Sequence, residues 1–251
     1  MKIDRVIVSS NPNEEYINFW ESVSKAWVKI VGIRPTLFVI SNFDLGLSTE
    51  YGDVYYQAPN HKISTVPQSQ IVRFFAATKF PNEVCLLSDL DMMPLQANYF
   101  TKSVEGLPND KIVFYSSDAY TCGNPAYPAF PMCYIAALGS TFEDIVGSDI
   151  NSFVGDVEGW MDKSYGWYTD EKVFYEKWSD WEKKLDNSIF LKRGFNAGVA
   201  ETIKRIDRSE KSHHDEKLLK NGFYIDYHMP RPYNKHKAII DKIYDCCVAL
   251  G

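Results

Sequence analysis

The segment VCLLSDLDMMPL, residues 84–95, is the part of the sequence that decides the fold. It opens with an uninterrupted apolar run, VCLL, which is typical of a strand buried on both faces of a parallel sheet. Asp89 and Asp91 follow, and side chains two residues apart in an extended segment project to the same side. Because ligands of open α/β sheets gather at the carboxyl ends of strands, the segment predicts a carboxylate pair at a ligand-binding edge.

The aspartate pair also indicates a chemistry. Two carboxylates held side by side repel one another, and a divalent cation relieves that repulsion. Oxygen ligands suit Mg²⁺ or Mn²⁺, and these ions in turn bind diphosphate oxygens. A D-x-D tripeptide also occurs by chance in acidic chains, so a solvated loop after a strand is the alternative. The apolar strand before the pair and the Met-Met-Pro after it favour a metal site.

The residues before this segment alternate between strand and helix patterns. Short apolar, β-branched runs predict strands at 5–9, 37–40 and 53–56. Apolar residues at helical spacing predict helices at 14–30 and 69–79. This alternation implies a doubly wound α/β sheet.

The second half of the sequence is less regular. Its strand patterns lie at 111–115, 132–138, 195–199 and 223–227. A helix is predicted at 170–184, with Thr169 or Asp170 available as its N-cap. Because no linker, repeat or charge block separates the halves, we expect one domain over residues 1–251, with a nucleotide-type half at 1–100.

Composition excludes some classes of protein. With 45% apolar and 24% charged residues in 251, the chain has globular composition rather than that of a disordered segment. The formal net charge is −6 without a basic block, so binding to nucleic acid is not expected. The 15 Phe, 16 Tyr and 6 Trp suit a groove that stacks on sugars as well as a core.

Cysteines and apolar segments bear on the cellular compartment. The five cysteines are odd in number and contain no C-x-x-C pair, which argues against a disulfide framework or a zinc site. The N-terminal residues lack the apolar core of a signal peptide. The most apolar stretch, residues 129–138, is well short of the ~20 residues that span a bilayer. We therefore expect a cytoplasmic protein without a transmembrane segment.

Five segments of the sequence together resemble one known family. They are VIVSSNP at 6–12, the helix that carries Arg73, SDLDMMP at 88–94, TDE at 169–171 and DYHMPRP at 226–232. In these segments the chain resembles the GT-A-fold glycosyltransferases, which use nucleotide-sugar donors and hold a metal ion with a D-x-D motif. GFNAGV at 194–199 and DYHMPRPY are similar to segments of glycogenin-like retaining members. Compact viral and bacterial glycan-building enzymes include single domains of this sort.

The resemblance implies a fold and a reaction. The fold is a Rossmann-like, three-layer α/β/α sandwich with a mixed, mostly parallel central sheet. The reaction is metal-dependent transfer of a sugar from a nucleotide-sugar, a UDP-sugar in particular, to a hydroxyl group of a glycan or other acceptor. Retention of configuration is favoured over inversion. Residues 1–100 would bind the nucleotide, and residues 101–251 would bind the acceptor and hold the catalytic groups.

The resemblance also implies roles for residues of the nucleotide and metal sites. Asp89, Asp91 and His228 would bind the metal, and imidazole suits Mn²⁺ better than Mg²⁺. The residues that would contact the nucleotide-sugar are Ser9, Asn11, Arg73, Asp89 and Arg231. A solvated position on its helix is the alternative for Arg73.

Asp170 and Glu171 would be catalytic, because a carboxylate can stabilise an oxocarbenium-like transition state or accept the acceptor's proton. The alternative is that a carboxylate here caps the helix and complements its dipole. The aromatic residues just before them, Trp160, Trp167 and Tyr168, suit a platform for the acceptor sugar, and core packing is their alternative.

Two other classes of protein share part of this pattern. An aspartate-dependent phosphohydrolase also carries D-x-D after an apolar strand, but there the motif usually ends the first strand and precedes Thr or Val. A non-catalytic carbohydrate-binding or glycosyltransferase-like module would account for the aromatic residues. It would not account for the diacid at a strand end, the late His228 and the nucleotide-like first half. The glycosyltransferase hypothesis accounts for all of these features.

Overall fold

A computed structural model describes residues 1–115, 117, 128–192, 204–208 and 215–249. Strands and helices alternate through the first hundred residues, as the sequence predicts. The strand expected at 195–199, which overlaps GFNAGV, lies outside the described residues. Within the described ranges, no helix combines the length and the apolar character needed to cross a membrane.

A mixed sheet of seven strands forms the centre of the described structure. The described strands are β1 (Arg5–Ser10), β2 (Pro35–Ile40), β3 (Asp53–Gln57), β4 (Val84–Leu87), β5 (Met92–Pro94), β6 (Ile112–Phe114), β7 (Ile135–Leu138), β8 (Ser188–Phe190), β9 (Lys204–Ile206) and β10 (Tyr224–His228). The central sheet has the order β3-β2-β1-β4-β7-β6-β8. Strands β1 to β4 are parallel, β7 runs antiparallel to β4 and β6, and β8 is parallel to β6.

Helices cover both faces of this sheet. The described helices are α1 (Glu14–Ile17), α2 (Trp20–Ala26), α3 (Thr65–Thr78), α4 (Ala97–Thr101), α5 (Gly139–Val146), α6 (Phe153–Met161), α7 (Thr169–Asp180), α8 (Lys184–Asn187), α9 (Glu216–Lys220) and α10 (Tyr233–Val248). Helices α3, α5, α6 and α7 pack on one face, and α2, α4 and α10 pack on the other. The expected three-layer α/β/α architecture with a mixed, mostly parallel sheet is confirmed.

Strand β1 shows why both faces carry an apolar layer. Side chains alternate along a strand, so Val6 and Val8 pack on the face that contains Trp27, while Ile7 packs on the face that contains Phe75. All of these side chains are fully buried. A strand covered on both faces needs apolar residues at consecutive positions, which is the pattern that identified β1 and β4 in the sequence.

A second sheet of three strands extends the D-x-D segment. Strand β5 begins directly after Asp91 and pairs antiparallel with β10, so that Met92 lies opposite His228. Strand β9 pairs in parallel with the other edge of β10. The Met229 amide donates to the Asp91 carbonyl at 2.9 Å. The pairing of β5 with β10 therefore brings a histidine from the end of the sequence to the aspartate pair.

The helix predicted at 14–30 is divided in the structure. Asn13 caps α1 by accepting a hydrogen bond from the Glu15 amide, and α2 begins only at Trp20. A π-helical turn, Trp27–Val31, continues α2 and ends at Gly32, whose φ of 81° is a left-handed conformation that favours glycine. The apolar period continues through the break, which is why the sequence pattern showed a single helix.

Candidate active site

A pocket of about 750 Å³ lies beyond the carboxyl ends of β1 and β4. Its volume is typical of small-molecule sites, and its position is where open α/β sheets bind ligands. The predicted site residues that line it are Ser9, Asn11, Arg73, Asp89, Asp91, Trp167, Asp170, Glu171, His228 and Arg231. The chain thus brings together ten predicted residues from segments that are distant in the sequence.

Asp89 and Asp91 lie in the turn that joins β4 to β5. The Met92 amide donates to the Asp89 carbonyl at 3.2 Å and closes this turn. The Asp91 side chain is 8% exposed, whereas that of Asp89 is 33% exposed. Both line the pocket, but their carboxylates have different partners.

Arg73 on α3 holds one end of the carboxylate cluster. Its guanidinium is buried and pairs with Asp89 through Nη1 and with Asp170 through Nη2, the latter at 2.9 Å. Burial opposes the charge on Asp89, but Arg73 outweighs it and keeps the pKa of Asp89 below its usual value. The solvated position considered for Arg73 is therefore wrong, since the guanidinium joins two segments of the pocket wall.

Asp91 has two arginines and a histidine as neighbours, all at longer distances. Its Oδ2 lies 3.5 Å from Arg208 Nη2, 3.6 Å from His228 Nε2 and 3.9 Å from Arg231 Nε. Burial raises the pKa of Asp91, and His228 and Arg208 only partly offset this effect. The cluster therefore still favours additional positive charge beside this carboxylate.

Asp170 and Glu171 lie in the first turn of α7, where the cap position is Tyr168 without a side-chain capping bond. The N-cap expected at Thr169 or Asp170 is wrong, because the Asp170 carboxylate turns inward to Arg73. Burial is the main cause that raises the pKa of Asp170.

The Glu171 carboxyl group has an unusually high pKa for a side chain in a pocket wall. Burial, Asp170 and Asp89 raise the pKa of Glu171 to about 8. Its Oε2 is buried without a hydrogen-bond partner. Glu171 is therefore predominantly protonated at neutral pH, and so can donate a hydrogen bond to a ligand in the pocket.

Three of the predicted nucleotide-binding residues, Ser9, Asn11 and Arg231, lie on the side of the pocket formed by β1 and β10. Ser9 is the penultimate residue of β1 and donates to the Ser69 carbonyl of α3, and Asn11 donates to Thr65 Oγ1 at 2.9 Å. The Arg231 guanidinium lies over the ring of Tyr16, 4.6 Å from its centroid. These contacts fix the positions of polar groups that face the pocket.

The predicted aromatic platform is only partly present. Trp160 is 3% exposed and packs against Phe74 and Phe75, with ring centroids 5.5 and 5.7 Å apart. Its expected acceptor-binding role is wrong, because α6 presents this ring to the core. Trp167 and Tyr168 are 58% and 46% exposed, and Trp167 lines the pocket.

The donor set near Asp91 fits a divalent cation in its chemistry. Asp91 Oδ2 and His228 Nε2 are 3.6 Å apart, and neighbouring ligands of a six-coordinate ion with ~2.1 Å bonds stand about 3 Å apart. Asp89 lines the same pocket, although its carboxylate is paired with Arg73. Among the described residues, no three His, Cys, Asp or Glu side chains are grouped closely enough to hold a metal. Two of the three predicted metal ligands, Asp91 and His228, thus lie beside each other, whereas the carboxylate of the third, Asp89, is held by Arg73.

Sequence reasoning missed several residues that line the pocket, among them Tyr16, Cys133, Arg205 and Arg208. Tyr16 follows the turn after β1, a position that could have been found from the strand-end rule. Arg205 and Arg208 lie in KRIDR, residues 204–208, which matches no motif and reaches the pocket only because β9 pairs with β10.

Comparisons with known proteins identify the fold. No family model matches this sequence, and no curated protein matches it in sequence. The structure is similar to a glycosyltransferase involved in the glycosylation of the major capsid of PBCV-1, with a TM-score of 0.51 and 12% identity over 95% of this chain and 99% of that one. It is also similar to the glycosyltransferase GlyE of Streptococcus pneumoniae TIGR4, with a TM-score of 0.50 and 10% identity over 99% of this chain and 64% of that one.

At these identities the likeness establishes the fold alone. The chain has the GT-A glycosyltransferase fold, and the fold expected from the sequence resemblance is confirmed.

Proposed function

We propose that this protein is a glycosyltransferase that moves a sugar from a UDP-sugar to a hydroxyl group of a glycan acceptor with the help of Mn²⁺ or Mg²⁺. The observation that carries the proposal is the meeting of buried Asp91 with His228, 3.6 Å apart, in the pocket at the carboxyl edge of a GT-A sheet. Glycosyltransferase structures of the same fold support the reaction class. The whole of residues 1–251 is proposed as one domain.

The donor's diphosphate has a cationic wall to bind. Arg208 and Arg231 line the pocket beside Asp91, and a guanidinium binds phosphate oxygens through paired hydrogen bonds. Ser9 and Asn11, on the β1 side, are assigned to the nucleoside. Asp89, Asp91 and His228 would hold the metal, which when bound neutralises charge on the departing diphosphate.

Transfer breaks the bond between the anomeric carbon and the diphosphate oxygen and forms a bond from that carbon to the acceptor oxygen. The acceptor's proton must be taken up, and an inverting enzyme needs a free carboxylate to accept it. Asp170 is paired with Arg73, and Glu171 holds its own proton at neutral pH. Because neither carboxyl group is then free to accept a proton, retention is favoured, in which the departing diphosphate takes the proton.

The charge on Asp170 then has an electrostatic role. An oxocarbenium-like centre carries positive charge, and a fixed carboxylate beside it lowers its energy. Protonated Glu171 would donate a hydrogen bond to the sugar or to the departing oxygen. Trp167 and Tyr168, exposed at the rim, are proposed to stack on the acceptor sugar.

The alternative functions have less support. A carbohydrate-binding module would not need Arg73, Asp89 and Asp170 in a buried ion cluster. An aspartate-dependent phosphohydrolase needs a free carboxylate nucleophile, whereas Asp89 is paired with Arg73 and Asp91 is buried. The cytoplasmic location and the lack of nucleic-acid binding stay predictions.

Isothermal titration with UDP, with Mn²⁺ or with excess EDTA, tests the proposal. We expect UDP binding that requires the metal, and release of nucleotide from UDP-sugars in a donor screen. Asp53→Asn, which removes a carboxylate at the opposite end of the strands, is the control and should bind UDP like the wild type. Equal UDP affinity in Mn²⁺ and in EDTA would contradict metal dependence. Sugar binding without nucleotide binding would favour the carbohydrate-binding alternative.

A further inference from the structure

Among the described residues, four arginines line the pocket, and they differ in how closely their guanidinium groups are paired with carboxylates. They are Arg73, Arg205, Arg208 and Arg231. Arg73 is buried between Asp89 and Asp170. Arg205 donates from Nε and Nη2 to the two carboxylate oxygens of Asp226, each at 2.8 Å. Arg73 and Arg205 are therefore fixed parts of the wall.

The Arg208 guanidinium is less closely paired with carboxylates than those of Arg73 and Arg205, and it lies beside Asp91 and His228. Its Nη2 is 3.5 Å from Asp91 Oδ2, beyond the usual range of an N–H···O hydrogen bond, and also contacts His228 Nε2. Its side chain is 32% exposed. Its backbone follows β9 by two residues, and β9 is paired with β10. Arg208 is thus a partly exposed side chain on a segment that β9 pairs with β10.

The Arg208 guanidinium lies in the space that a metal ion would share with Asp91 and His228. A carboxylate as deeply buried as Asp91 is costly unless a cation accompanies it. Arg208 supplies that cation, since its Nη2 contacts His228 Nε2 and lies 3.5 Å from Asp91 Oδ2. A cation held by Asp91 and His228 would therefore require the Arg208 guanidinium to move away from these two side chains.

We propose that Arg208 is the internal counter-ion of the Asp91–His228 pair, and that a divalent cation displaces its guanidinium toward the donor's diphosphate. The inference rests on the metal site of the proposed function. Because β9 anchors the residue, the displaced guanidinium stays at the pocket, where diphosphate is the anion it binds best. Metal and nucleotide then bind synergistically, since each offsets the cost of moving Arg208 for the other.

Calorimetric titration of Arg208→Gln separates the two states. Without nucleotide, we expect the variant to bind Mn²⁺ roughly three- to tenfold more tightly than the wild type, because no guanidinium competes. At saturating Mn²⁺, we expect it to bind UDP about tenfold more weakly, because a charged hydrogen-bond donor is lost. Arg34→Gln removes the same charge from the amino end of the sheet and should change neither affinity.

The opposite signs of the two changes distinguish this role from a structural one. Mn²⁺ affinity of Arg208→Gln equal to or below that of the wild type, in a variant that melts normally, overturns the inference. The variant Asp91→Asn then shows whether the metal site or only the role of Arg208 is wrong. If that variant loses Mn²⁺ binding while Arg208→Gln binds like the wild type, the metal site stands and the role of Arg208 fails. If Asp91→Asn binds Mn²⁺ normally, the metal site and the inference both fail.

Discussion

The two ends of the parallel strands carry arginine–carboxylate networks of opposite character. At the amino ends, Arg5 lies 2.6 Å from Glu83 and 3.1 Å from Asp53, and also donates to Thr36 Oγ1 at 2.7 Å. Burial opposes the charge on Arg5, but Glu83 and Asp53 outweigh it and raise the pKa of Arg5. The charges at this end are paired at short distances and partly in contact with water.

At the carboxyl ends, the same kinds of side chain are buried and incompletely compensated. Burial raises the pKa of Asp91, Asp170 and Glu171, although arginines are close by. Such carboxylates retain an attraction for added positive charge, whether from an ion or from a developing oxocarbenium centre. Removing a charge should therefore alter ligand binding and turnover at the carboxyl ends of the strands and only stability at the amino ends.

Among these variants, Asp91→Asn should cause the largest loss of turnover. We expect turnover to fall by roughly 10²- to 10³-fold, because a ligand of the proposed metal is lost. The melting temperature should stay equal or rise, since the amide removes a buried charge. Nucleotide release at saturating donor and Mn²⁺, together with thermal melts, provides both measurements. Turnover within a few-fold of the wild type would show that Asp91 holds no essential metal.

Asp170→Asn and Glu171→Gln form a matched pair that separates a charged role from a neutral one. We expect Asp170→Asn to lower turnover by roughly 10²-fold, because a carboxylate facing positive charge is neutralised. Glu171→Gln should lose less than tenfold at pH 7, since it replaces one neutral hydrogen-bond donor by another. Steady-state kinetics and UDP titrations measure the two effects. The reverse order of losses would assign the charge to Glu171 and support inversion.

Glu171 should also give the carboxyl end a pH dependence. Its pKa of about 8 exceeds the ~4.3 of an unfolded glutamate, so the folded protein binds the extra proton between these values. Stability must therefore fall as the pH rises through this window. Glu171→Gln removes this loss, and we expect it to melt roughly 3–6 °C above the wild type at pH 9 but equally near pH 4. Parallel melting curves would contradict the assignment.

Glu83→Gln tests the amino end and should have the smallest effect. Partly exposed ion pairs contribute up to about 1 kcal/mol, so we expect a loss of that size or less in the free energy of unfolding. Turnover and UDP affinity should not change, because Glu83 lies at the opposite end of the strands from the pocket. Chemical denaturation and kinetics on one preparation measure both. A tenfold loss of turnover would show that the two networks are coupled.

Local patterns predicted the central sheet better than they predicted the site. The strand at 84–87 matches its prediction residue for residue, because an apolar run of that length has few other uses in an α/β chain. The pairing of β5 with β10 could not be predicted, since it depends on a register between distant segments. For the same reason, the link from Arg73 to Asp170 left no local signal.

Two errors did leave a signal in the sequence. Phe153, Val157 and Trp160 recur at i, i+4 and i+7, which places Trp160 on the buried face of α6. Asp170 likewise precedes Val173 and Phe174 at i+3 and i+4, so it shares the buried face of α7. The interpretation of Trp160 relied on the aromatic residues near it in the sequence, and that of Asp170 relied on its position at a helix start. In both cases the periodicity of the buried face was the better guide.

The pairing of β5 with β10 has a consequence for biosynthesis. A ribosome releases the chain from its amino terminus at ~5–20 residues per second, so β1 to β4 emerge long before β10. The carboxylates of the D-x-D turn therefore form before His228 is available, and a nascent chain with the proposed metal site should gain affinity for Mn²⁺ only after Tyr224–His228 has left the exit tunnel. A chain interrupted before β10 would keep the D-x-D carboxylates and lack His228, so it should bind Mn²⁺ more weakly than the chain that includes β10.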